Sequence, residues 1–150
     1  MNIKQALKRK NKLVQEIKTE FQKVQRYNSV IDGTERVYDP RVAYDNYVKK
    51  TEALISLKSA IHRANLPVYN QIFKLSELKS MVQYVKGLDC EAGQVFQRGG
   101  YGTPDSTHTK SASISIVERD TLVANLEAEI EKLQDELDRH NALVEIDWME

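Results

Sequence analysis

The chain has 150 residues, long enough for one continuous core and too short for two independent ones. Lys plus Arg and Asp plus Glu number 22 each, a formal net charge of zero that argues against a generic nucleic-acid or anionic-membrane binder. The zero conceals a split: residues 1–30 carry +6, residues 31–117 carry +2, and residues 118–150 carry −8.

Residues 2–30 open the chain with Ile3, Leu7, Val14, Ile17, Phe21 and Val24 in three- and four-residue steps, Lys10 and Asn28 filling two places of the same series. This is a narrow helical seam. Ile31-Asp32-Gly33-Thr34 then reads as a turn, because Asp-Gly supplies a positive φ. A second helix is expected from Asp39-Pro40, a capping Asp before a Pro pre-set for the first helical position. It runs to Asn65, with Tyr44, Tyr47, Val48, Leu54, Leu57 and Ile61 inward. Two short helices follow, near 67–74 and 77–86, the second capped by Ser76 and closed by Gly87.

Residues 88–114 differ in kind. Gly93, Gly99, Gly100 and Gly102 lie there beside Pro104 and a Ser/Thr-rich stretch, so helix is excluded. Gln94–Gln97 and Ser111–Ile116 alternate as short strands do, giving a Gly-rich loop or small β-hairpin insertion over about 88–116. In the last helix Val123, Leu126, Ile130, Leu133, Leu137, His140 and Val144 advance by alternating threes and fours, a heptad seam. Ser115 and Glu118 offer a capping box at its start. The expected fold class is mainly α: one domain, an antiparallel bundle of coiled-coil-like long helices. Lys4, Lys8, Arg9, Lys12, Lys18 and Lys23 flank the first seam, and Glu127, Glu129, Glu131, Asp135, Glu136 and Asp138 flank the last. Charge selects pairing while apolar burial supplies most of the stability. A homo-oligomer is expected to use what remains of the seams.

The segment from Arg98 to Ser111 concentrates groups that can cradle an anion: the glycine N–H groups, the charges of Arg98 and Lys110, and the stacking face of Tyr101. It is not a Walker loop, since no GxxxxGK[ST] spacing exists. The candidate ligand-binding residues are Arg98, Gly99, Gly100, Tyr101, Thr103, His108, Lys110 and Ser111. Cys90, Asp105, Ser106 and His108 hold the elements of a nucleophile and base, but nothing in their spacing demands one and no nucleophile elbow frames them. His62 is read as solvated and His140 as a hydrogen-bonded seam residue; with no HxxxH or ExxH pair, neither metal nor cofactor is expected. Tyr44 and Tyr47 share a helix face that can line a groove. The lone Cys90 excludes an intramolecular disulfide framework and a thiolate zinc cluster. With no run of eighteen apolar residues and no secretory pattern, a cytoplasmic protein is expected.

A lysine-rich first helix, a second helix ending Ala60-Ile61-His62-Arg63-Ala64-Asn65, a middle Gly-rich loop, and a last helix reading Leu133-Gln134-Asp135-Glu136-Leu137-Asp138-Arg139-His140-Asn141 before Glu145-Ile146 resemble the small bacterial and phage proteins labelled septicolysin. The resemblance covers most of the chain and implies a helical bundle. The pore-forming activity in that label finds no sufficiently apolar span here. The expected function is that of a non-enzymatic, oligomeric helical binding protein whose loop takes a small anionic, nucleotide-like ligand. Sequestering a signalling nucleotide in phage–host defence is one concrete form. No nucleic acid or membrane partner is expected. The alternative is a structural or scaffold protein acting through protein–protein contacts along its seams.

Overall fold

The structure, a computed structural model, describes residues 1–149. It is mainly helical, with α1 (Ile3–Tyr27), α2 (Pro40–Asn65), α3 (Tyr69–Lys86) and α4 (Ile116–Leu143), and one antiparallel hairpin of β1 (Gly93–Gln97) and β2 (Ser106–Lys110). A single 3-10 turn, Leu66–Val68, links α2 to α3. The chain divides into two compact units: Met1–Tyr69 with the segment that begins at Asp138, and Asn70–Leu137.

In the first unit α1 and α2 form an antiparallel helical pair, since early residues of one meet late residues of the other: Glu16 meets Lys50, and the ring of Phe21 lies 5.1 Å from that of Tyr47. Asn2 starts α1 with a reciprocal cap, its side chain accepting from the Gln5 amide at 2.9 Å while the Gln5 side chain accepts from the Asn2 amide at 3.0 Å. Asp39 caps α2 through the Arg41 amide, with Pro40 at the first helical position as expected. The intervening turn closes through the Thr34 amide on the Ile31 carbonyl, with Gly33 at φ +85°. The core gathers Ile3, Ala6 and Leu13 from α1 and Leu57, Ala60 and Ile61 from α2. The C-terminal tail closes it with Ile146, while Val144 and Trp148 pack alongside. The tail is held by a short antiparallel pairing with the chain start: the Ile3 amide on the Val144 carbonyl at 3.1 Å and the Ile146 amide on the Met1 carbonyl at 2.8 Å.

The buried line of α1 is rotated from the expected seam. Ala6 and Leu13 are fully buried, while Val14 and Phe21 stand 43 % and 40 % exposed. The true line also holds Glu16 and Glu20, acids that a purely apolar count passes over, and Glu16 is held there by Arg9 at 2.9 Å and by Lys50 of α2. On α2, Leu57 and Ile61 are buried as expected and Leu54, Tyr47 and Val48 are half-buried, but Tyr44 faces outward.

In the second unit α3 is one helix where two were expected, and Ser76 lies inside it rather than capping a new start. Nothing interrupts the backbone ladder between 74 and 77, and propensity alone favours continuation. Leu75, Leu78 and Val82 of α3 and Val123, Leu133 and Leu137 of α4 are buried, with Leu126 and Ile130 half-buried, so the α4 seam lies where its spacing put it. The Glu118 amide donates to the Ser115 hydroxyl oxygen at 3.1 Å, one half of the expected box. Lys74 and Lys86 lie twelve residues apart on α3, about 18 Å, yet they pair with Glu129 and Glu127, two residues apart on opposite flanks of α4. The two helices therefore cross, with the lysines straddling α4. For Glu127 and Glu129 the expected partner helix was α1; the ion pairs run to α3.

Candidate functional site

The second strand of the hairpin is Ser106–Lys110, not Ser111–Ile116; Ile116 already begins α4. Helix initiation at Ser115 takes the apolar end of the expected strand, and the polar run Ser-Thr-His-Thr-Lys supplies the ladder. Register pairs Gly93 with Lys110, Val95 with His108 and Gln97 with Ser106, so Ser106, His108 and Lys110 share one face. A tight turn closes the tip, the Thr103 amide donating to the Gly100 carbonyl at 2.9 Å with Gly102 at φ +82°. Gly99 is required by close approach, because a Cβ there would lie 1.8 Å from the Thr103 carbonyl oxygen.

This geometry separates the expected ligand groups. Arg98, Gly99, Gly100, Tyr101 and Thr103 sit at the tip, and His108, Lys110 and Ser111 run to the base. Four residues of strand, roughly 13 Å, divide Ser106 near the tip from Lys110. One small anion therefore does not bridge Arg98 and Lys110. Several of the groups also carry out other work. Lys110 pairs with Glu91 at 2.8 Å and with Asp89 at 3.0 Å, and these carboxylates raise its pKa above the ordinary lysine value. Asp89 is lowered in turn, first by the Glu91 amide and then by Lys110. The Gly99 amide already donates to the Asp105 carboxylate at 2.8 Å, the position a bound anion would take. Arg98 and Tyr101 remain at the tip, Tyr101 fully exposed.

Ser106 and His108 come within 2.9 Å, but Asp105 lies on Gly99 rather than behind the imidazole, so the pair lacks the orienting acid of a nucleophile–base arrangement. Cys90 is buried. His62 is exposed and hydrogen-bonds the Tyr69 hydroxyl through Nδ1. His140 is half-buried in the seam, but its Nε2 has no hydrogen-bond partner among the described residues, unlike the bonded histidine expected. Among the described residues no group of three or more His, Cys, Asp or Glu could hold a metal ion, and no helix is long and apolar enough to cross a membrane.

A cavity of about 840 Å³ lies elsewhere, at the start of α2, where Arg36, Asp39, Arg41, Tyr44 and Asp45 converge. Tyr44 does line a groove, and Tyr47 packs behind it with ring centroids 6.0 Å apart. Arg36 and Arg41 were not singled out in the sequence, because they are far from any glycine-rich segment and flank an ordinary helix start. Arg36 ties down the end of α1, its Nε donating to the Tyr27 carbonyl at 2.8 Å. The Asp39 side chain already accepts from the Arg41 amide at the start of α2, and with Asp45 it sets two acids beside the two arginines. The cavity is electrically balanced rather than built for an anion. No family model, no curated protein and no solved structure matches this chain.

Proposed function

We propose that this chain is a non-enzymatic helical assembly protein, a homo-oligomer whose exposed helix faces complete a bundle in the assembled state. The observation that carries the reading is α3. Its buried face holds Leu75, Leu78 and Val82, while Tyr84, on the opposite side, stands 78 % exposed and Met81, on the flank between, 46 %. A helix that carries large apolar and aromatic side chains outside its buried face is ordinarily covered there too, and among the described residues only the Leu75–Val82 face is covered. The septicolysin-like resemblance, which implies a bundle, belongs to the same reading. Sedimentation equilibrium at micromolar concentration tests it: a mass above that of the 17.2 kDa chain is expected, and a single 17.2 kDa species overturns it.

A second reading, capture of a small nucleotide-like anion by the hairpin, rests on Arg98 and Tyr101, a cation and an aromatic face together at an exposed tip. Substituting both with Ala should abolish binding of a nucleotide probe in calorimetry while helicity stays constant. Substituting Lys110 should leave it intact, because that charge is held by Asp89 and Glu91 at the hairpin base.

A further inference from the structure

The cavity at the start of α2 is lined wholly by the first compact unit: the end of α1, the turn after it and the first turns of α2. Its four charges differ in what they already hold. Arg36 is engaged at the end of α1, where its Nε donates to the Tyr27 carbonyl at 2.8 Å and its Nη2 to the Asn28 carbonyl at 3.4 Å. Asp39 is engaged at the start of α2, accepting from the Arg41 amide at 2.8 Å. One cation and one acid remain, Arg41 and Asp45. Both are exposed, and neither side chain has an ion pair or a hydrogen bond among the described residues. Arg41, Tyr44 and Asp45 are spaced by three and four residues on α2, so one turn presents a guanidinium, a half-exposed ring and a carboxylate on one side of the helix. Opposite charges at this spacing can close on one another. Here they stay apart, each lining the cavity, while the half-buried Val24 and Pro40 add apolar wall.

We infer that this cavity is a binding site for a small zwitterion with an apolar body: an α-amino acid, or a short peptide that carries the same two end groups. The carboxylate of the ligand meets the Arg41 guanidinium, whose planar fork can donate two parallel hydrogen bonds to it. The ammonium meets the Asp45 carboxylate, and the side chain lies on the Tyr44 ring. The charges favour this class over its neighbours. An anion alone would meet Arg41 but also the carboxylates of Asp39 and Asp45, and a cation alone would meet both guanidinium groups. The span fits as well. Four residues of helix set Arg41 and Asp45 about 6 Å apart along the axis, and an extended peptide covers about 3.3–3.6 Å per residue, so the ends of one or two residues reach both. At about 840 Å³ the cavity falls within the size of ligand pockets, roughly 300–1,000 Å³. Every contact comes from one copy of the chain, so the site does not depend on the assembly proposed above.

Calorimetry with L-phenylalanine and with glycyl-phenylalanine tests the site. Each is compared with N-acetyl-phenylalanine, which keeps only the carboxylate, and with phenylalanine amide, which keeps only the ammonium. The zwitterions are expected to bind at least about tenfold more tightly than either half-charged compound, the effect of one charge-assisted hydrogen bond. The tighter of the two zwitterions tells whether a free amino acid or a peptide is the ligand. Arg41→Gln is expected to erase the preference over phenylalanine amide, and Asp45→Asn the preference over N-acetyl-phenylalanine, with helicity by circular dichroism unchanged. No binding of either zwitterion at about 10 mM, weaker than ordinary specific recognition, overturns the site, as does equal binding of the half-charged compounds. Variants that keep both preferences overturn the roles of Arg41 and Asp45. Should a variant lose helicity, amide chemical shifts of the wild-type chain decide: titration with the zwitterion is expected to move those of Arg41–Asp45, and shifts confined to other segments overturn the site.

Discussion

The α1–α2 pair and the β1–β2 hairpin are both two antiparallel segments joined by a turn with a positive-φ glycine, yet they are held by different means. The helical pair satisfies its backbone internally, so what joins α1 to α2 is side-chain burial: Ile3, Leu13 and Leu57 are wholly removed from solvent and Ile146 seals them from the tail. The strand pair joins through the backbone ladder itself. Its side chains bury almost nothing, Val95 and Ser106 being only half-buried and Phe96 exposed. A two-stranded ribbon of this kind is marginal alone. The Lys110 ion pairs at its base and the Asp105–Gly99 bond at its tip are therefore what define it. Side-chain truncation should accordingly be expensive in the first region and nearly silent in the second.

The contrast is broken most directly by Leu57→Ala, which removes a fully buried side chain from the helical core. About 3–4 kcal/mol of stability should be lost, measured by urea unfolding. A loss under about 1 kcal/mol would mean that the pair does not depend on this core. Ile146→Ala follows at about 2–3 kcal/mol, because the tail residue is 6 % exposed and packs on both helices' core residues. If the tail were an ornament, unfolding of that variant would match wild type.

Glu16→Gln should cost no more than about 1 kcal/mol, the scale of a partly exposed ion pair. Its pH signature is more telling. Lys50 first and Arg9 second hold the Glu16 carboxyl below the ordinary glutamate pKa. The unfolded chain therefore takes up the proton more readily. The stabilisation is complete above the ordinary value of about 4.3 and is lost as pH falls through the lowered native one. Wild-type stability should decline over that acid window more steeply than that of the variant; parallel curves would remove Glu16 from the account.

At the hairpin, Gly99→Ala forces the tip to move, because its Cβ would meet the Thr103 carbonyl at 1.8 Å. Global unfolding should shift by less than about 0.5 kcal/mol, while amide exchange in Gly93–Lys110 quickens. A cooperative loss of the whole fold would show that the hairpin is coupled to the core. Tyr101→Ala, at a fully exposed tip, should change neither quantity.

Elements whose signals are local were legible in the sequence: Asp39-Pro40 as a helix start, Gly33 as a turn, Ser115 as the amide acceptor that opens α4, and the α4 seam from Val123 to Leu137, whereas Val144, expected on the same seam, lies beyond the helix in the tail. Others were misplaced for identifiable reasons. Ser76 has a capping side chain but no break before it. Ser111–Ile116 alternates, but its end is taken by a better helix start. The α1 seam shifted because the half-buried Glu16 falls on the inward line, where Arg9 and Lys50 pair with it, a circumstance that exists only after α2 has folded against α1. Within the candidate site, the residue types of the Arg98–Ser111 segment were evident, but their separation along a ladder was not. The arginines of the α2 cavity gave no signal at all.

By itself the sequence determined the helical class, the charge split, and most element boundaries, because capping, turn chemistry and periodicity act over a few residues. Tertiary structure alone decided which α1 stripe is buried, that the tail seals the first core, and that Lys110 and Gly99 are engaged by Asp89, Glu91 and Asp105. Those outcomes depend on which distant groups meet, and a carboxylate several residues away is invisible to local pattern until the backbone brings it within hydrogen-bonding distance.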